Sequence, residues 1–422
     1  MPTHSRTESS TTQNRLSDSL LRQLHRGHHN RWSSGRVFRH SEPGNAVYPT
    51  VIWTRILHFA THPTFIDQNR CEPVHFFHFA IAHRATPSQI DYLRACLHRR
   101  WELKRVCKVW RDILESTAQP WIRARIQKQV PSIPVGIRRL DVCASENPRD
   151  DTWLSRTLAL LLSFRSPSRR PLDGITTLAI EGTVLTPEDI QMRDVVLNIF
   201  DREGNQVRSF IYEGNSAFIG DLFLRGLERS FSRLTSLTIC AYWIKGELTL
   251  EHVESLALHV DILDLTGWCF PSLKHYCLGG ARPGAEWTDK TSQYRFDTSL
   301  LPGPSLDLRS LLLYRPYQLE ASTLFWQMFP TLEFIGVSQI TIDESPPADH
   351  PLGYLGWSEG LQGDGRDTYD RISETIDKLP SVATLLTPYI VEDGTSDGTR
   401  PYRTFLSQKC QSQNIRWIVG DS

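Results

Sequence analysis

Three groups of side chains in this chain have types and spacings that chemistry could use. The first is Gly356-Trp357-Ser358-Glu359-Gly360, a G-x-S-x-G string. A nucleophile elbow holds its serine between a buried strand and a following helix. The flanking text, DESPPADHPLGYL before and LQGDGRDTYD after, reads as loop on both sides, so a serine hydrolase is not expected. The second group is Cys71, His75, His78 and His83, whose C-x3-H-x2-H order departs from zinc-ligand spacings. These residues read instead as polar neighbours of a short aromatic core run, HFFHFAIAH. The third group sets Lys and Arg between Trp101, Trp110 and Trp121, the make-up of a phosphate-and-stacking surface. Trp110 falls on an apolar stripe, however, where packing claims it, so a nucleic-acid binder stands behind other readings. The strings GxxxxGK[ST], GxGxxG and HExxH do not occur. No catalytic residue, cofactor or metal is therefore expected, and the chain reads as a non-enzyme.

The composition points the same way. With 422 residues, 40% apolar and 12 Trp, the chain is long enough for two or three folded domains. Its formal net charge is zero but unevenly spread. Residues 1–44 carry seven Arg against three acids, and 93–128 ten Lys/Arg against three. Residues 45–92 balance, which leaves 129–422 at about −11 (0 − 4 − 7). A basic front and an acidic back suit a modular binder. The eight Cys are scattered without a CxxC pair, no N-x-[ST] sequon occurs, and no apolar run approaches a membrane span. A cytoplasmic or nuclear location, without membrane contact, is the expectation.

Two stretches read as helices that position an interaction surface. In VYPTVIWTRILHFATHP, Pro49 suits a helix start, and Ile52, Trp53, Ile56 and Leu57 make one apolar face before Pro63 stops it. Within Leu93 to Ile126, the residues Leu103, Val106, Cys107, Trp110 and Ile113 recur at helical spacing as one stripe. Lys104, Arg105, Lys108 and Arg111 take the other faces, and Pro120 ends the pattern.

Tyr48-Pro49-x-x-Ile52-Trp53-x-x-Ile56-Leu57, followed by Leu103-Lys-Arg-Val106-Cys107-Lys-Val-Trp110-Arg-Asp-Ile113, resembles the F-box, in the expanded form with a long insert common in fungi. The resemblance covers about 47–126. It implies a small helical module whose exposed apolar face docks on the Skp adaptor of a cullin-based ubiquitin ligase. It also implies Pro49, Ile52, Trp53, Ile56, Leu57, Leu103, Val106, Cys107, Trp110 and Ile113 as adaptor-binding residues.

From residue 130 onward an apolar-x-x-apolar-x-apolar phrase recurs, beginning at Ile137, Ile175, Val207, Leu234, Val253, Leu273, Leu308 and Leu332. Each reads as a short strand. Phe270-Pro-Ser-Leu273, Phe329-Pro-Thr-Leu332 and Leu379-Pro-Ser-Val382 share a lead-in, and helix-like runs at 221–230, 320–328, 369–378 and 402–411 precede strands. Starts at 234, 253, 273, 308 and 332 give intervals of 19, 20, 35 and 24, near the period of leucine-rich repeats. This half is similar to the leucine-rich-repeat-like region of F-box proteins. Gly279–Pro304 and Glu344–Thr368, rich in Pro and Gly, read as inserted loops on one face, open to client binding or simply tolerated.

The expected fold class is thus α+β or α/β, a helical F-box followed by an irregular leucine-rich-repeat-like solenoid. The expected domains are a disordered basic arm at 1–44, an F-box-like domain with its insert at 45–128, and a substrate-binding domain at 130–422. The expected function is that of a substrate receptor, holding the Skp adaptor and an unidentified protein substrate. The alternative is an F-box scaffold that does not direct degradation.

Overall fold

The computed structural model describes residues 47–61, 96, 98–116, 121–125, 138–143, 176–181, 207–280, 294–303, 307–314, 317–357, 366–387 and 399–419. Two compact units divide the chain, Met1–Ile56 and Leu57–Ser422, with the division inside the first helix, α1 (Val47–Thr61). A second helix, α2 (Lys108–Ser116), follows in the second unit.

The second unit is built on one all-parallel sheet of 12 strands. They are β1 (Trp121–Arg125), β2 (Arg139–Cys143), β3 (Thr177–Glu181), β4 (Ser209–Ile219), β5 (Ser236–Ile244), β7 (Ser255–Leu263), β9 (His275–Gly279), β11 (Ser310–Leu313), β13 (Phe334–Val337), β15 (Tyr354–Trp357), β16 (Thr384–Thr387) and β17 (Arg416–Val419). Their order across the sheet is their order along the chain. Two smaller parallel sheets lie in the connections. One joins β6 (Leu248–Thr249) to β8 (Trp268–Cys269); the other joins β10 (Tyr294–Arg295), β12 (Tyr317–Ala321) and β14 (Ile340–Ile342). Among the described residues, further helices include α3 (Asp221–Ser230), α4 (Thr323–Met328), α5 (Arg366–Lys378) and α6 (Thr399–Ser412). The architecture is α/β.

The recurring apolar phrase explains why this sheet forms. In register, its fourth position makes one row across the strands: Leu140, Leu178, Phe210, Leu237, Leu256, Tyr276, Leu311 and Ile335. The sixth position makes a parallel row through Ile180, Tyr212, Ile239, Leu258, Leu278, Leu313 and Val337. Alternate strand residues point to the same face, so both rows enter one apolar core. Phe223, Leu224 and Leu227 of α3, Phe325 and Trp326 of α4, and Ile372 and Ile376 of α5 join that core. The helices therefore cover this face.

The Pro lead-in has a physical role too. Leu273 N donates to Phe270 O at 3.1 Å, Leu332 N to Phe329 O at 3.2 Å, and Val382 N to Leu379 O at 3.1 Å. Each is a β-turn with Pro at its second position, where a φ near −65° is required. Ser272 and Thr331, next in these turns, donate their hydroxyls to Glu251 O and Leu308 O of the preceding connection. At the entries of the main-sheet strands from β3 to β16, two successive N–H groups share one carbonyl at the entry of the previous strand; Thr235 and Ser236 both donate to Arg208 O, at 2.8 and 2.9 Å. The same pair of bonds recurs from Thr176 to Thr384, which locks the register from strand to strand.

The opposite face has its own small apolar cluster: Ala257, Cys277, Leu312, Tyr314, Phe334 and Leu386. Here large side chains lie over glycines. A Cβ on Gly336 would stand 2.1 Å from Leu312 Cδ1, and one on Gly279 would stand 2.9 Å from Tyr314 Cβ. Only glycine leaves the room those neighbours occupy.

Several expectations change. The sheet begins at β1, ahead of residue 130. Glu344–Thr368 is not simply an inserted loop, because β15 is built into the sheet between β13 and β16. Leu352-x-x-Leu355-x-Trp357 repeats the apolar phrase inside Pro/Gly-rich text, and all three side chains are buried. The stretch before it is also packed. His350 Nε2 lies 3.0 Å from Phe329 O, Trp326 Nε1 donates to Glu344 O, and Ser345 donates to Lys378 O. In Gly279–Pro304, Gly279 ends β9, Tyr294–Arg295 form β10 and Phe296 is buried; residues 281–293 and 304 lie outside the described residues. The run expected as helix from Glu320 begins at Thr323, because Glu320 belongs to β12.

Buried on β9, His275 places Nδ1 3.0 Å from Ser310 Oγ on β11. Burial, aided by Lys274 and Arg309 and opposed by Glu254, lowers its pKa from 6.5 to about 4. The unfolded chain therefore takes up this proton more readily than the folded one. Stability from His275 is complete above pH 6.5 and is lost as pH falls towards 4, by on the order of 3 kcal/mol. Urea titrations at several pH values should show a shallower acid loss in His275→Gln than in the parent. Parallel curves would rule the assignment out.

Candidate functional site

α1 forms because Pro49 presets the first turn and apolar residues then recur at helical spacing. Ile52 and Ile56, one turn apart, are 55% and 46% exposed, with Trp53 half-buried. Leu57 is buried, and Thr61 Oγ1 donates to its carbonyl at 2.7 Å. The exposed pair is the part of α1 available to a partner.

The second stretch is not one continuous helical stripe. The chain is helical over 98–104, turns at Arg105 and Val106, and resumes as α2 at Lys108. Arg105 N donates to Glu102 O and Val106 N to Leu103 O, closing the first segment, and Arg111 N donates to Cys107 O, opening the second. Side chains tie the two segments together. Arg100 donates to Leu114 O, Arg111 Nε donates to Lys104 O at 3.3 Å, and Lys104 lies 3.9 Å from Glu115.

This break redistributes the stripe. Val106 and Cys107 become exposed, Leu103 and Trp110 are half-buried, and Ile113 and Leu114 are buried. Of the ten residues the resemblance implies, Leu57 and Ile113 are thus buried within the chain's own packing. Off the stripe, Trp101 and Val109 add exposed apolar surface, at 54% and 53% exposure. Arg105 Cζ sits 4.5 Å from the Trp101 ring centroid, and His98 stacks on that ring at 6.0 Å. Neither residue lies on the stripe, so periodicity gave no signal for them.

The other chemical candidates fare differently. Gly356 and Trp357 lie on β15, so a strand does lead into Ser358, contrary to the loop reading. Ser358 itself lies outside the described residues. α5 starts at Arg366, after eight intervening positions (358–365), a longer span than a tight strand-to-helix elbow uses. Cys71, His75, His78 and His83 also lie outside the described residues. Among the described residues, no group of three or more His, Cys, Asp or Glu converges to hold a metal. Among them, too, no helix is long and apolar enough to cross a membrane. No protein-family model matches this chain, and no curated protein does either.

Proposed function

We propose that the chain is a non-enzymatic substrate receptor of a Skp-cullin-F-box type ubiquitin ligase. Its F-box-like segments would dock on the Skp adaptor, and a leucine-rich-repeat-like solenoid would hold a protein substrate. The observation that carries the reading is the exposure of Ile52 and Ile56 on α1, and of Val106 and Cys107 just ahead of α2, at positions that carry the F-box resemblance. Apolar side chains of this size each stabilise an interface by roughly 1.5–3 kcal/mol when buried, so a few anchors suffice. The solenoid reading is supported by strands whose spatial order follows the chain and by connections that return over one face. Catalysis would belong to other subunits, with this chain supplying proximity.

The test is affinity capture of the tagged full chain from cells, scored by mass spectrometry. Adaptor and cullin peptides should be enriched together. Their absence, with the chain intact and soluble, would end the proposal.

A further inference from the structure

The surface around residues 98–111 has a charge that the docking reading does not require. Trp101, Val106 and Val109 expose apolar area, while Arg99, Arg105, Lys108 and Arg111 expose cations beside them. Residues 96–116 hold six Lys/Arg against three acids. Two of those acids are engaged locally, Glu102 with His98 at 3.2 Å and Glu115 with Lys104 at 3.9 Å. The side chains of Arg99 and Lys108 make neither hydrogen bond nor ion pair among the described residues. The cationic surplus is therefore not neutralised within the segment.

We infer that this surface takes an acidic polypeptide segment carrying an apolar anchor. The inference rests on the docking reading of these residues and adds the chemistry of what docks. Charge complementarity fixes the sign of the partner, because carboxylates would offset Arg99, Arg105 and Lys108 and speed encounter. The two valines fix its other property. They offer no stacking face and no hydrogen bond, so they reward apolar contact rather than phosphate. Trp101 is already engaged by His98 and Arg105, which leaves its ring poorly placed to stack a nucleic-acid base.

The experiment uses the full chain and three labelled probes: a glutamate-rich peptide with spaced leucines, the same peptide with glutamine for glutamate, and a single-stranded oligonucleotide. Binding is read by fluorescence anisotropy at low and raised salt, with purified Skp adaptor measured in parallel. The acidic peptide should bind and weaken with salt, and the glutamine peptide should not bind. Arg105→Glu with Lys108→Glu should weaken it on the order of tenfold. Val106→Ser should weaken it without changing the salt dependence. Tighter binding of the oligonucleotide, or equal peptide affinity in parent and charge-reversed chains, overturns the inference. Adaptor binding unaffected by charge reversal at every salt concentration overturns it while the receptor reading stands. A parent chain that binds the acidic peptide but not the adaptor instead overturns the receptor reading and supports the cationic site.

Discussion

Excision of residues 344–368 is expected to abolish cooperative folding of the sheet. The segment contains β15, whose backbone bonds both β13 and β16. It also buries Leu352, Leu355 and Trp357. Each such side chain contributes roughly 1.5–3 kcal/mol when withdrawn from water. Three together rival the whole ~5–15 kcal/mol by which a domain is usually stable. Rejoining β13 directly to β16 would further require a new register between strands that now have β15 between them. The check is a thermal melt and a urea titration followed by circular dichroism. Leu355→Asp, which buries an unpaired charge in the same strand, should fail in the same way. A sharp, parent-like transition in the excised chain would show that this segment is a dispensable loop after all.

The second large effect is on binding alone. Ile56→Asp removes an exposed isoleucine from α1 and sets a charge where the adaptor would close over it. Folding should barely change, because the residue is already about half exposed. Adaptor affinity should fall roughly a hundredfold or more, from lost apolar burial together with a desolvated, unpaired carboxylate. Leu57→Asp is the informative contrast. Leu57 is buried, so its replacement should lower the melting temperature as well. Equal adaptor affinity for Ile56→Asp and the parent would remove α1 from the docking surface. Equal melting of Leu57→Asp and the parent would contradict the packing described for that side chain.

The sheet was legible because its rows are written directly in the chain. Leu237 and Ile239, or Leu311 and Leu313, sit at strand positions that face one core, so the apolar phrase marks each strand. The helices α3, α5 and α6 were legible from their own periodicity. β15 was not, because Pro346, Pro347, Pro351, Gly353 and Gly356 surround its apolar residues and imitate a loop. β10 and β14 were hidden for another reason: strands of two and three residues are too short to establish a period. The exposed apolar surface proposed for docking was half legible. Ile52 and Ile56 are where helical spacing puts them. The stripe from Leu103 to Ile113 runs apolar through the turn at 105–106, so the pattern carries no mark of the break that exposes Val106 and buries Ile113.

Gel filtration of the purified full chain mixed with the Skp adaptor at micromolar concentration tests the central claim most directly. The account predicts one co-eluting peak containing both proteins, lost in Ile56→Asp while that variant melts like the parent. Separate elution of the parent chain and the adaptor at that concentration would contradict it.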